Sequence, residues 1–256
     1  MLNKLLKYDL KKNLKFLSIF YIITAVLSVL TRLFINTDSP LILLIIGKIL
    51  SGALISLFAN ILINAVMGLW IKSFARGVYG DESYLTHTLP VTKTQIYLSK
   101  FLTSLIVAAV SICVIIACAF IAYYTEDRWA IVKMYLGNAK IITVLAAISI
   151  FLEFINLIQC GFTGIIIGHR QNRGKAGFSI LFSAVAETVT QVIVLIFTAC
   201  AAIFSSDFRM LFKTNALPTQ EQLYFVFTLE ITVYVLIIVF NALLNVKLLN
   251  KGVDVE

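Results

Sequence analysis

The sequence predicts an all-α membrane protein: six transmembrane helices with an N-terminal amphipathic interfacial helix. Composition and the lengths of the apolar runs carry that prediction. Apolar residues make up 60% of the 256-residue chain and charged residues 13%, against about 45–50% and about 25% in soluble domains. Six apolar runs approach or exceed the roughly 20 residues that a helix rising 1.5 Å per residue needs to cross about 30 Å of hydrocarbon. The runs are continuous and lack the alternation of a membrane barrel. Only three prolines occur in the whole chain, as long uninterrupted helices require.

Residues 1–15 read as a separate element. Leu2, Leu5, Leu6, Leu10 and Leu14 recur at helical spacing with lysines on the opposite face, the pattern of a helix lying in the headgroup layer. An ordinary basic flank that sets topology would explain the lysines but not the leucine spacing. The segment is not expected to be a cleavable signal. Five lysines precede the first apolar run, that run exceeds a signal core, and no A-x-A-like site follows.

A six-helix domain is expected over 16–249, with a short tail at 250–256. The first span is placed at 16–34. The second lies within 41–71, where Lys48 divides the run. Residues 41–47 then form an outer-surface or re-entrant piece, and the span proper covers about 49–70. The remaining spans fall at 101–124, 141–168, 177–204 and 223–249.

Orientation follows from Lys and Arg. One side carries fourteen of them, in 1–15, 72–100, 170–175 and 247–251, and the other seven. The richer side is expected to face the cytoplasm, with both ends inside. The net charge of +8 is spread beside apolar runs, where anionic lipid attracts it. Nucleic-acid binders instead gather such charge on a soluble module.

The largest inward loop, 72–100, holds two helix starts. Asp81 can cap a short helix over 82–88 that ends before Pro90. Thr92-Lys93-Thr94-Gln95 is a T-x-x-Q capping box that launches the third span. A short helix joined rigidly to a span is well placed to receive force from another protein; a simple re-entry turn fits the pattern equally well.

The stretch T-L-P-V-T-K-T-Q-I-Y-L-S-K, running into a span, resembles the permeases of type-2 ABC transporters. The whole plan, with an interfacial helix, six spans and both ends inside, is similar to theirs, although many membrane families share it. The resemblance implies a coupling helix at 81–88, with Asp81, Glu82, Tyr84, Leu85 and His87 as coupling residues. A second contact is implied in the shorter loop 169–175, at Arg170 and Arg173. It also implies soluble ABC ATPase subunits as partners, a second permease (identical or related), and a bacterial plasma-membrane location. The short outer loops depart from family members that carry a large outer domain.

Polar residues recur along single faces of four spans: Ser56, Asn60 and Asn64; Glu153, Asn156, Gln159 and Thr163; Ser183, Glu187 and Gln191; Glu230, Tyr234, Asn241 and Asn245. They can border a translocation path, with Asn60, Asn64, Glu153, Asn156, Glu187 and Gln191 as candidates. They can equally serve interhelical hydrogen bonds. The carboxylates are the sharper candidates, costing about 2.5–3.5 kcal/mol each at mid-span.

No catalytic residue, metal site or cofactor is expected. The four cysteines lie inside apolar runs without C-x-x-C pairing and read as packing residues. No G-x-x-x-x-G-K-[ST], H-E-x-x-H or G-x-S-x-G occurs, and the longest stretch between spans is far smaller than a nucleotide-binding domain. ATP and Mg would therefore be bound by the partner ATPase. The chain is expected to be an exporter's permease subunit, with a secondary transporter, a channel or an immunity protein as the rivals.

Overall fold

The computed structural model describes residues 2–35, 41–80, 82–83, 88, 90–171, 173–204 and 219–251. Among these every regular element is helical, and six helices are long and apolar enough to cross a membrane. They are α1 (Leu2–Ile35), α2 (Leu41–Met67), α3 (Lys93–Tyr123), α4 (Glu126–Gly168), α5 (Lys175–Phe204) and α6 (Gln220–Asn250). A π-helix over Gly68–Ala75 and a last turn over Arg76–Val78 prolong α2. The chain divides into two compact units, Met1–Val132 and Lys133–Glu256.

Local chemistry explains most helix limits. Thr92 accepts from the Gln95 amide at 3.3 Å, and the Gln95 side chain accepts from the Thr92 amide at 3.2 Å. These bonds satisfy two donors that the first turn of α3 would otherwise leave bare. The same reciprocal box, Thr219 with Gln222, opens α6. Gly174 has φ +68°, a left-handed conformation that costs a residue with a β-carbon, and it turns the chain into α5.

Three boundaries differ from the sequence expectation. Residues 2–35 form one uninterrupted helix, so the leucine–lysine stretch and the first span share an axis; no glycine or proline breaks it. The division expected at Lys48 does not occur either. α2 runs through Gly47 and an exposed Lys48, and a β-carbon on Gly47 would lie 3.1 Å from the Phe34 carbonyl oxygen. That glycine serves the close approach of α1 to α2. Finally, the outer loop expected before the fourth span is helical. It belongs to α4, which bends at Ala139 (φ −129°, ψ 31°).

In the first unit α1 turns small polar side chains inward, beside buried apolar ones such as Leu17, Leu54, Ile61, Leu69 and Phe74. On α1 the side chains of Thr24, Ser28 and Thr31 are fully buried, while Ile19, Ile22, Val26 and Leu33 are well exposed. The hydroxyls satisfy themselves on preceding carbonyls, as Thr24 does on Phe20 at 2.8 Å. Their small size lets α1 pack closely on α3 and α2. Tyr21 meets Ser111 at 2.8 Å and Ser51 meets Tyr123 at 2.6 Å, tying α1 and α2 to α3. Exposed apolar faces of this extent suit lipid, not water.

In the second unit α4 and α5 approach at backbone distance. A β-carbon on Gly164 would fall 2.4 Å from the Ser183 amide nitrogen, and one on Gly168 would fall 2.4 Å from that of Ser179. The G-x-x-x-G of α4 therefore packs within this chain on an S-x-x-x-S of α5. Val194, Val233, Tyr234 and Ile237 join α5 to α6.

Gly164→Ala or Gly168→Ala should destabilise the second unit by about 1–3 kcal/mol, the usual cost of overpacking. Thermal melting in detergent would read this as a lowered Tm. Adding Ser183→Gly should not restore the loss at position 164, because the obstructing atoms include backbone.

Candidate functional site

The first unit gathers charge where α1, the end of α2 and the start of α3 meet. Asp9 on α1 accepts from Lys100 on α3 at 2.6 Å and from the Ser99 hydroxyl at 3.3 Å. The Asp9 and Lys100 side chains are only 4% and 5% exposed. Gly77 makes room for the ammonium, since a β-carbon there would stand 3.0 Å from Lys100 Nζ. Two charges so enclosed hold each other firmly, because either one left alone would be a buried unpaired ion.

One turn along α1, Lys12 pairs with both oxygens of Glu82 at 2.5 and 2.6 Å and donates to the Lys72 carbonyl at 3.0 Å. Lys72 belongs to the π-helix, a widened turn often found where a helix serves function. Its own ammonium rests 3.3 Å from the centre of the Phe16 ring, a cation–π contact. Glu82 is thus bound to α1, and α1 is bound to both neighbouring helices. Of the coupling residues expected in this loop, Asp81, Tyr84, Leu85 and His87 lie outside the described residues, as does most of the helix expected at 81–88.

The turn between α4 and α5 holds the other expected contact. The Arg170 guanidinium donates to the Leu248 carbonyl near the end of α6, where a cation complements the helix dipole. Arg173 is exposed. His169 Nδ1 lies 2.9 Å from the Ile165 carbonyl and 3.4 Å from the Ser179 hydroxyl.

The second unit brings three of the polar stripes together. Glu230 on α6 accepts from Ser149 on α4 at 2.8 Å. Gln191 on α5 donates to Glu187 at 3.0 Å and to Glu153 on α4 at 3.4 Å. Deeper in, Asn156 donates to Thr190 at 3.1 Å and accepts from Asn241 at 3.4 Å. Asn156, Gln159 and Asn245 are fully buried, whereas Glu153 is exposed and Glu187 and Gln191 are half-buried. The neutral amide Asn156 thus cross-links three helices, and the carboxylates stand nearer the open edge. A cavity of about 440 Å³ lies beside the amide cross-link, lined by Phe182, Val189, Leu236 and Phe240 with Thr190 and Asn241 and by none of the three glutamates. Among the described residues no cation pairs with the three glutamates, and no three His, Cys, Asp or Glu side chains are placed to hold a metal.

The stripe on α2 behaves differently. Asn60 is exposed and Asn64 half-buried. Their amides donate back to the Ser56 and Asn60 carbonyls at 2.9 and 2.8 Å.

Sequence reading missed Asp9, Ser99 and the pairing of Lys12 and Lys100, which it counted only as topology-setting charges. A signal existed: Asp9 is the only acidic residue before Asp38. With Asn13 it interrupts an otherwise basic and leucine-rich helix on one face.

Asp9→Asn or Lys100→Met alone should cost about 3–5 kcal/mol, since each strands a buried charge. The double variant Asp9→Asn/Lys100→Met should cost less than the two single losses together. Chemical unfolding in detergent, arranged as a double-mutant cycle, checks this.

No family model matches the chain, and no curated protein or solved structure shows detectable similarity to it.

Proposed function

We propose that this chain is the membrane-spanning permease subunit of an ATP-driven exporter of the type-2 ABC class, working with separate soluble ATPases and a second permease. In this reading the chain's ends face the cytoplasm, and the lysine-rich residues 1–15 carry α1 from the first span out through the cytoplasmic headgroup layer. The observation that carries it is the binding of Glu82 to Lys12, beside the Asp9–Lys100 pair. Force applied to the loop before α3 would pass through these charges into α1 and α3, as coupling to an ATPase requires. The sequence T-L-P-V-T-K-T-Q-I-Y-L-S-K supports the same assignment by its resemblance to that family. The turn holding Arg170 and Arg173 would supply a second contact, with Arg170 linking it to α6.

Closing ATPases would push on these two cytoplasmic points and bias the spans between inward- and outward-open arrangements. The substrate would be an amphiphile or hydrophobic molecule, matching the apolar cavity with polar residues beside it. Binding by the carboxylates would favour a cationic group.

A second reading, an ion-coupled secondary transporter, is favoured by one observation: three glutamates on three helices with no paired cation among the described residues.

Affinity purification from native membranes distinguishes the two, since an ABC permease should bring down a soluble ATPase. Replacing residues 81–88 by Gly/Ser should leave insertion intact but abolish substrate-stimulated ATP turnover. Persistence of that stimulation would refute the coupling assignment. Glu153→Gln and Glu187→Gln should each reduce export of a cationic substrate in a vesicle assay; full activity in both would remove them from the path.

A further inference from the structure

Residues 126–138 form the part of α4 that precedes its bend at Ala139. The apolar span begins at that bend and runs over Ala139–Gly168. At its other end, Tyr124 leaves helical geometry (φ −65°, ψ 118°) just after α3, itself a spanning candidate, ends at Tyr123. The Thr125 hydroxyl accepts from the Arg128 amide at 3.3 Å and opens the new helix.

This geometry constrains where the segment lies. Consecutive spans end and begin on the same face of a bilayer. A helix of this length covers about 20 Å at 1.5 Å per residue, and it is joined to each span through no more than two residues. If it stood upright, one end would be carried away from the membrane with no chain to return it. Both ends stay at the surface only if the helix lies along it.

The side chains suit that position. At 100° per residue Trp129, Ile131 and Val132 share an arc of about 160°, while Glu126, Asp127 and Lys133 fall outside it. Ile131 is 54% exposed and Val132 43%. Trp129 packs edge-on to Phe120, with ring centres 5.6 Å apart, and faces Tyr124 at 6.3 Å, an aromatic group of the kind that settles at headgroup level. Arg32 stands 5.9 Å over the Tyr124 ring. Arg128 points into the apolar arc, but its guanidinium turns back to the Tyr123 carbonyl at 3.4 Å. Met134 is the one large apolar side chain on the charged side.

We propose that residues 126–138 are a lipid-surface helix, holding Trp129, Ile131 and Val132 in the headgroup–acyl boundary on the face opposite the N-terminus. Its partner is the bilayer itself. An interfacial helix of this kind sinks its apolar face about 5–10 Å into the boundary. It holds the bend at Ala139 at a constant depth, so that α4 enters the membrane from a held point. This holds whether or not the exporter reading is right.

The test uses the full chain in phosphatidylcholine vesicles, with its four cysteines replaced by alanine. Single nitroxide labels are placed at Asp127→Cys, Ile131→Cys, Val132→Cys and Lys133→Cys. Contact with oxygen, which enters lipid, is compared with contact with an aqueous nickel chelate. The oxygen-to-nickel ratio should be several-fold higher at 131 and 132 than at 127 and 133. A ratio favouring nickel at all four sites would overturn the proposal, because the helix would stand in water. Shielding of 131 and 132 from both reagents would overturn it too, because protein would cover that face. If the cysteine-free chain does not fold, Trp70→Phe leaves Trp129 as the only tryptophan. Quenching by lipids brominated near the headgroup and not by iodide is then expected, and the reverse sinks the idea.

Discussion

Helices surrounded by lipid gain little by burying leucine against leucine, because the surrounding tails are equally apolar. Association must then come from close packing and from polar groups that have no water to turn to. The fold follows that constraint throughout. On α1, Thr24, Ser28 and Thr31 face inward while Ile19, Ile22 and Val26 face out. Gly164 and Gly168 bring α4 against the backbone of α5, and Asn156 bridges α4, α5 and α6. Size and hydrogen bonding, beside apolar packing, select the faces that meet.

Charge obeys the same logic more severely. Near the ends of spans a carboxylate or ammonium can reach water, but Asp9 and Lys100 do not. They are enclosed together, with Ser99 filling the second oxygen of Asp9 and Gly77 leaving space for the ammonium. Such a pair adds little net stability over a well-packed apolar substitute, yet it is costly to break. It therefore fixes which helix ends meet. With Lys12 holding Glu82 and the π-helix carbonyl of Lys72, the start of α1 becomes the junction of two neighbouring helices and a loop. The enclosed pair cannot part without stranding a charge, whereas Lys12 and Glu82 are partly open to solvent.

The polar stripes predicted to border a path do not all behave alike. In the second unit, neutral amides are sealed inside as cross-links and the glutamates lie closer to the open edge. In the first, Asn60 is exposed and Asn64 half-buried on α2, both satisfied by their own helix. Enclosure marks a residue that holds helices together. Openness at membrane depth marks one that water, substrate or another protein can reach.

Much of this was legible from residue order alone. Six helices follow from run length and hydropathy, and the start of α3 follows from Thr92 and Gln95, because those are local properties. The polar stripes were legible as faces for the same reason, helical periodicity. A second capping box, Thr219 with Gln222, is equally local and starts α6. Contacts between distant residues were not readable. Asp9 and Lys100 are 91 residues apart, and nothing near either one names the other. Hydropathy cannot see whether a glycine pair packs within the chain or against a second copy, and only the α4–α5 distance decided it. Nor can it see that a charged, aromatic stretch after α3 is a helix bent at Ala139. Periodicity fixes what one helix presents, whereas the partner of each face depends on how all the helices close together.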